Sequence, residues 1–312
     1  MTDSSADSTG TVLVMNARSG TGDHGQAVRE RAAILGYDLI ETERAEHAVE
    51  LARAAADEGA DKIVAVGGDG TVNEVVRGVD AADSLDDVTV GVVPAGTGND
   101  FASNVGIADI DDGFRAVAEG RRRRIDVGFA DGRPFVNSCL AGIKAEASEA
   151  TSAELKSKYG VLAYVLQTVE VAPEFTGVEL AAATVDGGRR ETVWAGEAVF
   201  VLVGNASRFT RLGSEQADVE DGLLDVAIVE SVDSVSLVKD QFAERLLDAE
   251  SDHVTRHQVP SLELRVRDGE PASFSLDGEI VHARSLELTT CARSLELAVG
   301  DGYDPRDRKS VV

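Results

Sequence analysis

Residues 61–76 read DKIVAVGGDGTVNEVV. An apolar run over 61–66 stops at glycine, and a helical pattern begins at about Thr71 and continues to Gly78, so the stretch predicts a buried strand, a tight turn and a helix. Glycine lets a backbone turn sharply and approach an anion closely. The amides and positive dipole of the following helix face the same point, which makes the turn a candidate phosphate site. No Gly-Lys-Ser/Thr follows, so this is not a P-loop, and the third glycine of the dinucleotide fingerprint is missing. Asp69, between Gly68 and Gly70, suits a carboxylate that reaches Mg²⁺ bound to nucleotide phosphates. The alternative for this segment alone is a glycine-rich connection in which Asp69 and Asn73 are turn residues.

The same alternation extends on both sides. TVLVM (11–15), YDLIE (37–41) and VTVGVV (88–93) are strand candidates. Helices are expected from Asp23 to Leu35 and along the stripe Ala45, Ala48, Val49, Ala52 and Ala55, which ends at Gly59. Strands alternating with helices imply an α/β fold with right-handed crossovers, a mostly parallel sheet and ligands at the carboxyl ends of the strands. NARSG (16–20) and PAGTGNDFA (94–102) follow the first and fourth strands. Together with the central turn they converge on one crevice, a nucleotide site. After about Gly128 the pattern changes to β-rich runs, a second and mainly β domain, interrupted by a helix pair expected at 156–171 and 235–248. ARSLEL occurs at 283–288 and again at 292–297, and the repeat predicts two strands of a hairpin.

A chain of 312 residues is long enough for two domains with a substantial core. Its 56 Asp and Glu against 30 Lys and Arg leave a net charge of −26, which opposes nucleic-acid phosphates and excludes a general nucleic-acid binder. The acidic residues are spread along the chain, as suits a halophile's salt-rich cytosol. Cys139 and Cys291 stand apart, and the five histidines (His24, His47, His253, His257 and His282) show no ligand spacing, so neither a zinc site nor a disulfide framework is supported. The acidic start MTDSSADSTG is not a signal peptide, and no run approaches a membrane span, so a cytoplasmic protein with at most peripheral membrane contact is expected. Arg121 to Arg124 form the basic run, which suits an anionic head group or phosphate, but it runs straight into a strand at Ile125, so pairing with surface carboxylates is the plainer reading.

Six motifs, NARSG, VAVGGDGTVNEV, VPAGTGNDFA, RIDVG (124–128), DVEDGLLDV (218–226) and SLDGE (275–279), resemble in order and spacing the diacylglycerol kinase catalytic domain family. That family includes bacterial-type lipid kinases and sphingosine kinases and is related in fold to NAD kinases. The resemblance runs from about Thr11 to Gly300. It implies an NAD kinase-like α/β nucleotide domain at 11–127, a β-sandwich substrate domain at 128–297, and a return of 298–312 to the first domain. It implies ATP contacts at Asn16, Ser19, Gly20, Thr42, Gly67, Gly68, Asp69, Gly70, Thr71, Asn73, Gly96, Thr97, Asn99 and Asp100. Glu279 is implied as the proton acceptor, with Asp277 as the other base candidate and Asp69 as a further catalytic carboxylate. Asp218, Asp221 and Leu223 are implied to hold a structural Mg²⁺, the first and last through backbone carbonyls. On its own, Asp277-Gly278 is also an ordinary hairpin signal.

Some residues depart from the family pattern. Ala17 replaces a usual Pro, Lys144 a usual Asp, Arg211 and Leu212 a Gly-rich turn, and Glu215 a common Pro. Most of these lie toward the acceptor side. The apolar stretch 161–172 serves equally as core or as one wall of a lipid cleft. The resulting expectation is an ATP-dependent kinase that phosphorylates the hydroxyl of a diacylglycerol-like or other lipid alcohol, with ATP and Mg²⁺ as cofactors and transient contact with the inner face of the membrane. In a haloarchaeon the acceptor would be a dialkylglycerol or isoprenoid alcohol. Phosphorylation of a soluble acceptor, as by NAD kinases, and a non-catalytic nucleotide-binding regulator are the alternatives; a homodimer is the candidate assembly.

Overall fold

The computed structural model describes residues 10–142, 177–186, 189–210, 213–216, 218–230 and 254–305. Lys144, Arg211, Leu212, His253, the helices expected at 156–171 and 235–248, and the apolar stretch 161–172 lie outside the described residues. The chain divides into two compact units, 1–127 with 292–312, and 128–291.

The first half of the chain forms β1 (Thr11–Met15), α1 (Gly25–Leu35), β2 (Asp38–Glu41), α2 (His47–Asp57), β3 (Lys62–Gly67), α3 (Asp69–Ala81), β4 (Thr89–Pro94), α4 (Asp100–Asn104), α5 (Ile110–Glu119), β5 (Arg121–Ala130), β6 (Arg133–Phe135) and β7 (Ser138–Ala141). Then follow β8 (Val178–Asp186), β9 (Arg189–Gly204), β10 (Ser207–Thr210), β11 (Gly213–Gln216), β12 (Leu224–Glu230), β13 (Val254–Val259), β14 (Ser261–Val266), β15 (Ala272–Leu276), β16 (Glu279–Ala283) and β17 (Ser285–Val299).

In the first unit the strands run parallel in the order β2-β1-β3-β4, and β17 adds to β4 through Glu296 and Leu297. The order reverses between β1 and β3, which makes their carboxyl ends the switch point where α/β proteins bind ligands. On one face Leu13, Val64 and Val66 pack with Val28 of α1 and with Phe114 and Val117 of α5. Successive strand residues point to opposite faces, and Val14, Ile63 and Ala65 are buried as well. The buried alanines Ala48, Ala52 and Ala55 keep α2 slim. A Cβ at Gly78 of α3 would lie 2.5 Å from the Val49 oxygen of α2, so the two helices meet backbone to backbone.

Helix α3 begins at Asp69, two residues ahead of the expected start, so Asp69 and Gly70 belong to its first turn. Glu74, on its second turn, accepts the Ala48 amide at 3.1 Å and so caps α2. Burial raises its carboxyl above the ordinary range, and that amide bond opposes the rise. Neither α4 nor α5 was anticipated. Helix α5 has the Ile110, Phe114, Val117 spacing and an Asp109 cap on the Asp112 amide at 2.9 Å, but Gly113 interrupts the pattern where the helix presses on Val92.

The second unit is an antiparallel array in the order β16-β15-β7-β9-β8-β14-β17, with β12 between β9 and β13. Its core gathers Phe135, Cys139, Leu180, Val201, Leu264 and Phe274. Trp194 donates its indole N–H to Glu230 at 2.8 Å, so the ring's polar edge is satisfied where it packs. The expected ARSLEL hairpin is corrected here. The SLEL of both copies, 285–288 and 294–297, lies on one strand, β17, while Ala283 of the first copy ends β16. Thr289, Thr290 and Cys291 between them favour extended backbone and offer none of the Gly, Asn or Asp that a tight turn requires.

The arginine run is also corrected in part. Arg124 does pair with Asp86, but Arg121 donates to the Tyr303 carbonyl oxygen. Arg122 donates to Ala116, Val117 and Gly120 carbonyls at 3.1, 2.9 and 3.3 Å, closing the C-terminus of α5. Burial pulls its guanidinium down from the ordinary value while Glu296 and Tyr37 act the other way. Replacing Arg122 by Met strips a charged donor from these carbonyls and should cost about 1–3 kcal/mol. Arg124→Met, at an exposed pair, should cost under about 1 kcal/mol. Thermal melts in molar KCl of the two variants check this difference.

Candidate functional site

The loops that follow the parallel strands leave the sheet in register. Asn16 N–H bonds Val66 O at 2.9 Å, Thr42 N–H bonds Met15 O at 2.8 Å, and Ala95 N–H bonds Gly67 O at 2.8 Å. Above these rungs the turns lock to one another. The Asp69 carboxylate accepts the amides of Asp100 at 3.2 Å and Phe101 at 2.9 Å, so it holds the start of α4. Gly68 and Gly96 face each other so closely that a Cβ on Gly96 would lie 2.3 Å from Gly68 Cα. Asn99 brackets Gly96, accepting its N–H at 3.0 Å and donating to its oxygen at 3.1 Å. Ser19 Oγ reaches Ala95 O at 3.0 Å, and a side chain at Gly20 would meet the same oxygen at 2.7 Å. Gly20 also has φ +58°, in the region that favours glycine.

Sequence residues Asn16 to Gly20, Gly67 to Asn73 and Gly96 to Asp100 are therefore brought together, with Thr42 one strand further out. Thr71 and Asn73 are buried inside α3, Thr71 under Gly67, whose Cβ would lie 2.3 Å from its hydroxyl. Thr97 is exposed at the loop tip. Gly70 is different from its neighbours, because nothing lies within 4 Å of a Cβ built there. The amides of a helix's first turn have no acceptor within the helix, and at α3 they belong to Asp69 and Gly70. A polyanion is the ligand that such a rim suits. Asp69, expected as a metal-reaching carboxylate, is engaged as a backbone anchor. Asp100 beside it has its carboxyl raised, first by burial and then by the charge of Asp69.

In the second unit, Asp277 and Gly278 form the two-residue turn between β15 and β16, both with positive φ. The Asp277 carboxylate accepts three amides, from Val136 at 2.7 Å, Asn137 at 3.0 Å and Ser138 at 2.8 Å. These bonds make it a clamp on the segment between β6 and β7. Glu279 opens β16 immediately after the turn, and its carboxylate pairs with Arg133 of β6. Sequence reasoning passed over Arg133, since nothing in RPFVNSCL marks it. Asp126 of RIDVG was passed over too. It is buried in the first unit and accepts the Arg293 amide at 2.7 Å.

Asp218 and Asp221 each accept an amide two residues on, Glu220 N–H at 3.0 Å and Leu223 N–H at 2.9 Å. Among the described residues no three His, Cys, Asp or Glu side chains gather as a metal cluster. The Asp221 carboxylate and the Asp218 and Leu223 carbonyls are nevertheless hard oxygen donors, a set that would suit Mg²⁺.

The diacylglycerol kinase catalytic domain matches residues 10–130, and the YegS C-terminal NAD kinase β-sandwich-like domain matches residues 137–299. A Chromohalobacter salexigens protein named "Probable lipid kinase YegS-like" is 31% identical over 261 residues, 81% of either chain. A Staphylococcus aureus (strain JH9) diacylglycerol kinase is 33% identical over 200 residues, 63% of this chain and 58% of that protein. A Staphylococcus saprophyticus diacylglycerol kinase is 30% identical over 63% of each chain, so the match spans less than two-thirds of these two kinases. The fold aligns with a crystal structure of a Bacillus anthracis (strain Sterne) diacylglycerol kinase at a TM-score of 0.69 and 20% identity, over 93% of this chain and 97% of that one.

An α/β unit with glycine turns at its switch point, followed by a β-sandwich-like domain, is the two-domain architecture of these kinases. The chain belongs to the diacylglycerol kinase catalytic domain family, in the branch with a YegS-type C-terminal domain. Membership implies ATP as phosphate donor, with a divalent cation.

The interlocked glycines make a stability prediction that needs no ligand. Gly96→Ala forces two backbones apart and should cost about 1–3 kcal/mol, whereas Gly70→Ala should melt at or slightly above the wild-type temperature. Calorimetric melts in one buffer compare them directly.

Proposed function

We propose that this protein is an ATP-dependent lipid kinase that transfers the γ-phosphoryl group to the hydroxyl of a diacylglycerol-like or other lipid alcohol. The observation that carries the reading is the rim of the first unit, where three turns meet at the switch point with first-turn amides of α3 directed away from the helix body. The phosphates of ATP lie on that rim, against Gly68, Asp69 and Gly70 and beside Asn16 to Gly20 and Gly96 to Asp100. Arg18, on the first of these loops, is exposed, and among the described residues its guanidinium makes no bond or ion pair, so it can answer phosphate charge. A Mg²⁺ ion, when bound with ATP, offsets the charge that builds on the transferred group.

Glu279 accepts the proton of the acceptor hydroxyl as that oxygen bonds to the γ-phosphorus. The bond from phosphorus to the β,γ-bridging oxygen breaks, and ADP leaves. Asp277 supports this role from its three amides and takes no proton. Asp218, Asp221 and Leu223 would hold a second Mg²⁺, which would fix their loop. No helix among the described residues is long and apolar enough to cross a membrane.

Labelled ATP offered in molar KCl with diacylglycerol, a dialkylglycerol, an isoprenoid alcohol and NAD in parallel tests the assignment. Label in a lipid is expected, and label in NAD alone overturns it. Glu279→Gln should lower turnover by about 10²-fold or more and leave ATP affinity within a few-fold. Gly70→Ala, which is open to solvent in the protein itself, should weaken ATP binding by about tenfold in a calorimetric titration. Unchanged binding would show that the turn carries no phosphate.

The structural cation has its own test. Molar KCl screens the net charge of −26, so general ion effects are already saturated there. Under those conditions chelation should lower the melting temperature and Mg²⁺ should restore it, and Asp221→Ala should remove the response. Equal melts of the wild type with and without chelator rule the site out.

A further inference from the structure

The geometry points to Arg133 as the residue that positions Glu279 and keeps its carboxylate ionised for proton transfer. The inference rests on the reading of Glu279 as proton acceptor. Arg133 and Glu279 are paired side chain to side chain, 33% and 36% exposed, so the pair is partly shielded and still open to a solute.

Both side chains start from anchored backbone. Glu279 follows the turn whose Asp277 is held by the amides of Val136, Asn137 and Ser138. Arg133 begins β6 directly after the turn at Asp131 and Gly132, where Asp131 N–H bonds Glu287 O at 2.9 Å and Asp131 Oδ1 accepts the Glu287 amide at 2.9 Å. Segment 133–138 thus grips segment 277–279 twice, once through Asp277 and once through Glu279. The three amide bonds already hold the backbone, and a partly exposed ion pair adds little stability. What the pair does supply is chemistry. A guanidinium restricts where a carboxylate can point, and it favours the charged form, so the base is unprotonated at lower pH than it would be alone.

Among the described residues, the charged and titratable groups on the elements around Glu279 are Arg133 on β6, Cys139 on β7, Asp277 in the turn and His282 on β16. The Cys139 thiol is raised by burial and by Asp277 and stays neutral. His282 bonds Ser273 through Nδ1 at 3.2 Å. Asp277 is a like charge that acts against Arg133, so removing Arg133 takes away a cation that favours the charged form of Glu279.

The experiment measures kcat and kcat/KM from pH 5 to 9 in molar KCl for the full chain and for Arg133→Met, Arg133→Gln and Arg133→Lys. Loss of the cation should move the acid limb up by about one pH unit in the Met and Gln variants, lowering kcat by up to about tenfold at the acid end of the range, where the limb falls, and hardly at all at pH 8. ATP affinity should stay within about twofold, and Lys should return the limb most of the way toward wild type. A limb that does not move in the Met and Gln variants overturns the proposal, as does a limb in the Lys variant that moves as far as in Met. Glu279→Gln separates the two ideas. If it keeps wild-type turnover, the assignment of Glu279 fails; if it loses turnover while the limb of Arg133→Met stays in place, only the role of Arg133 fails.

Discussion

Two backbone amides on the Asp69 carboxylate, from Asp100 and Phe101, determine how the first unit presents its loops. Parallel strands deliver their connections to one edge of the sheet but do not by themselves hold those connections together. Asp69 does so from the first turn of α3, and the contact of Gly68 with Gly96 leaves no room for any side chain between the turns. The arrangement costs something in charge, since burial and, after it, the neighbouring charge of Asp69 raise the Asp100 carboxyl. In return the α3 amides stand on a rigid rim. That rigidity is what a phosphate site needs, because transition-state charge is stabilised best by donors that do not have to reorganise.

The second unit solves a similar problem in the same way. Asp277 draws in three consecutive amides and thereby fixes the turn that aims Glu279. Carboxylates act as backbone acceptors elsewhere too, with Glu74 on α2, Asp109 at the start of α5, Asp126 on the Arg293 amide and Asp131 on the Glu287 amide. An acidic composition suggests a charged surface. Part of this acid excess is instead structural, since a carboxylate that accepts a backbone N–H satisfies a donor that helix ends and turns would otherwise leave unpaired.

The arginines show the complementary use of charge. Arg122 closes the exposed carbonyls of α5, and Arg121 holds the chain near its end at Tyr303. Arg133 is paired with a carboxylate, the one proposed to do the chemistry. Adjacent or similar arginines therefore differ in role according to what the fold places opposite them, and the run at 121–124 is a device for joining elements of the first unit.

The amino-acid sequence alone was enough for the parallel α/β unit, its glycine turns and the change to β structure near Gly128, because burial periodicity and glycine act locally and leave a local trace. The order of six short motifs was enough for the family. Other features required the tertiary structure. The two SLEL stretches of the repeat became one strand, since its pairing is chosen by β14 on one stretch and β4 on the other. Asp69 finds amides 31 and 32 residues away, and Asp277 finds amides 139 to 141 residues away. Whether a carboxylate is an anchor or a base depends on which donors arrive beside it, and sheet order decides that. Composition and spacing carry no record of it, because an aspartate that clamps amides and a glutamate that pairs with an arginine are written with the same kind of acidic letter.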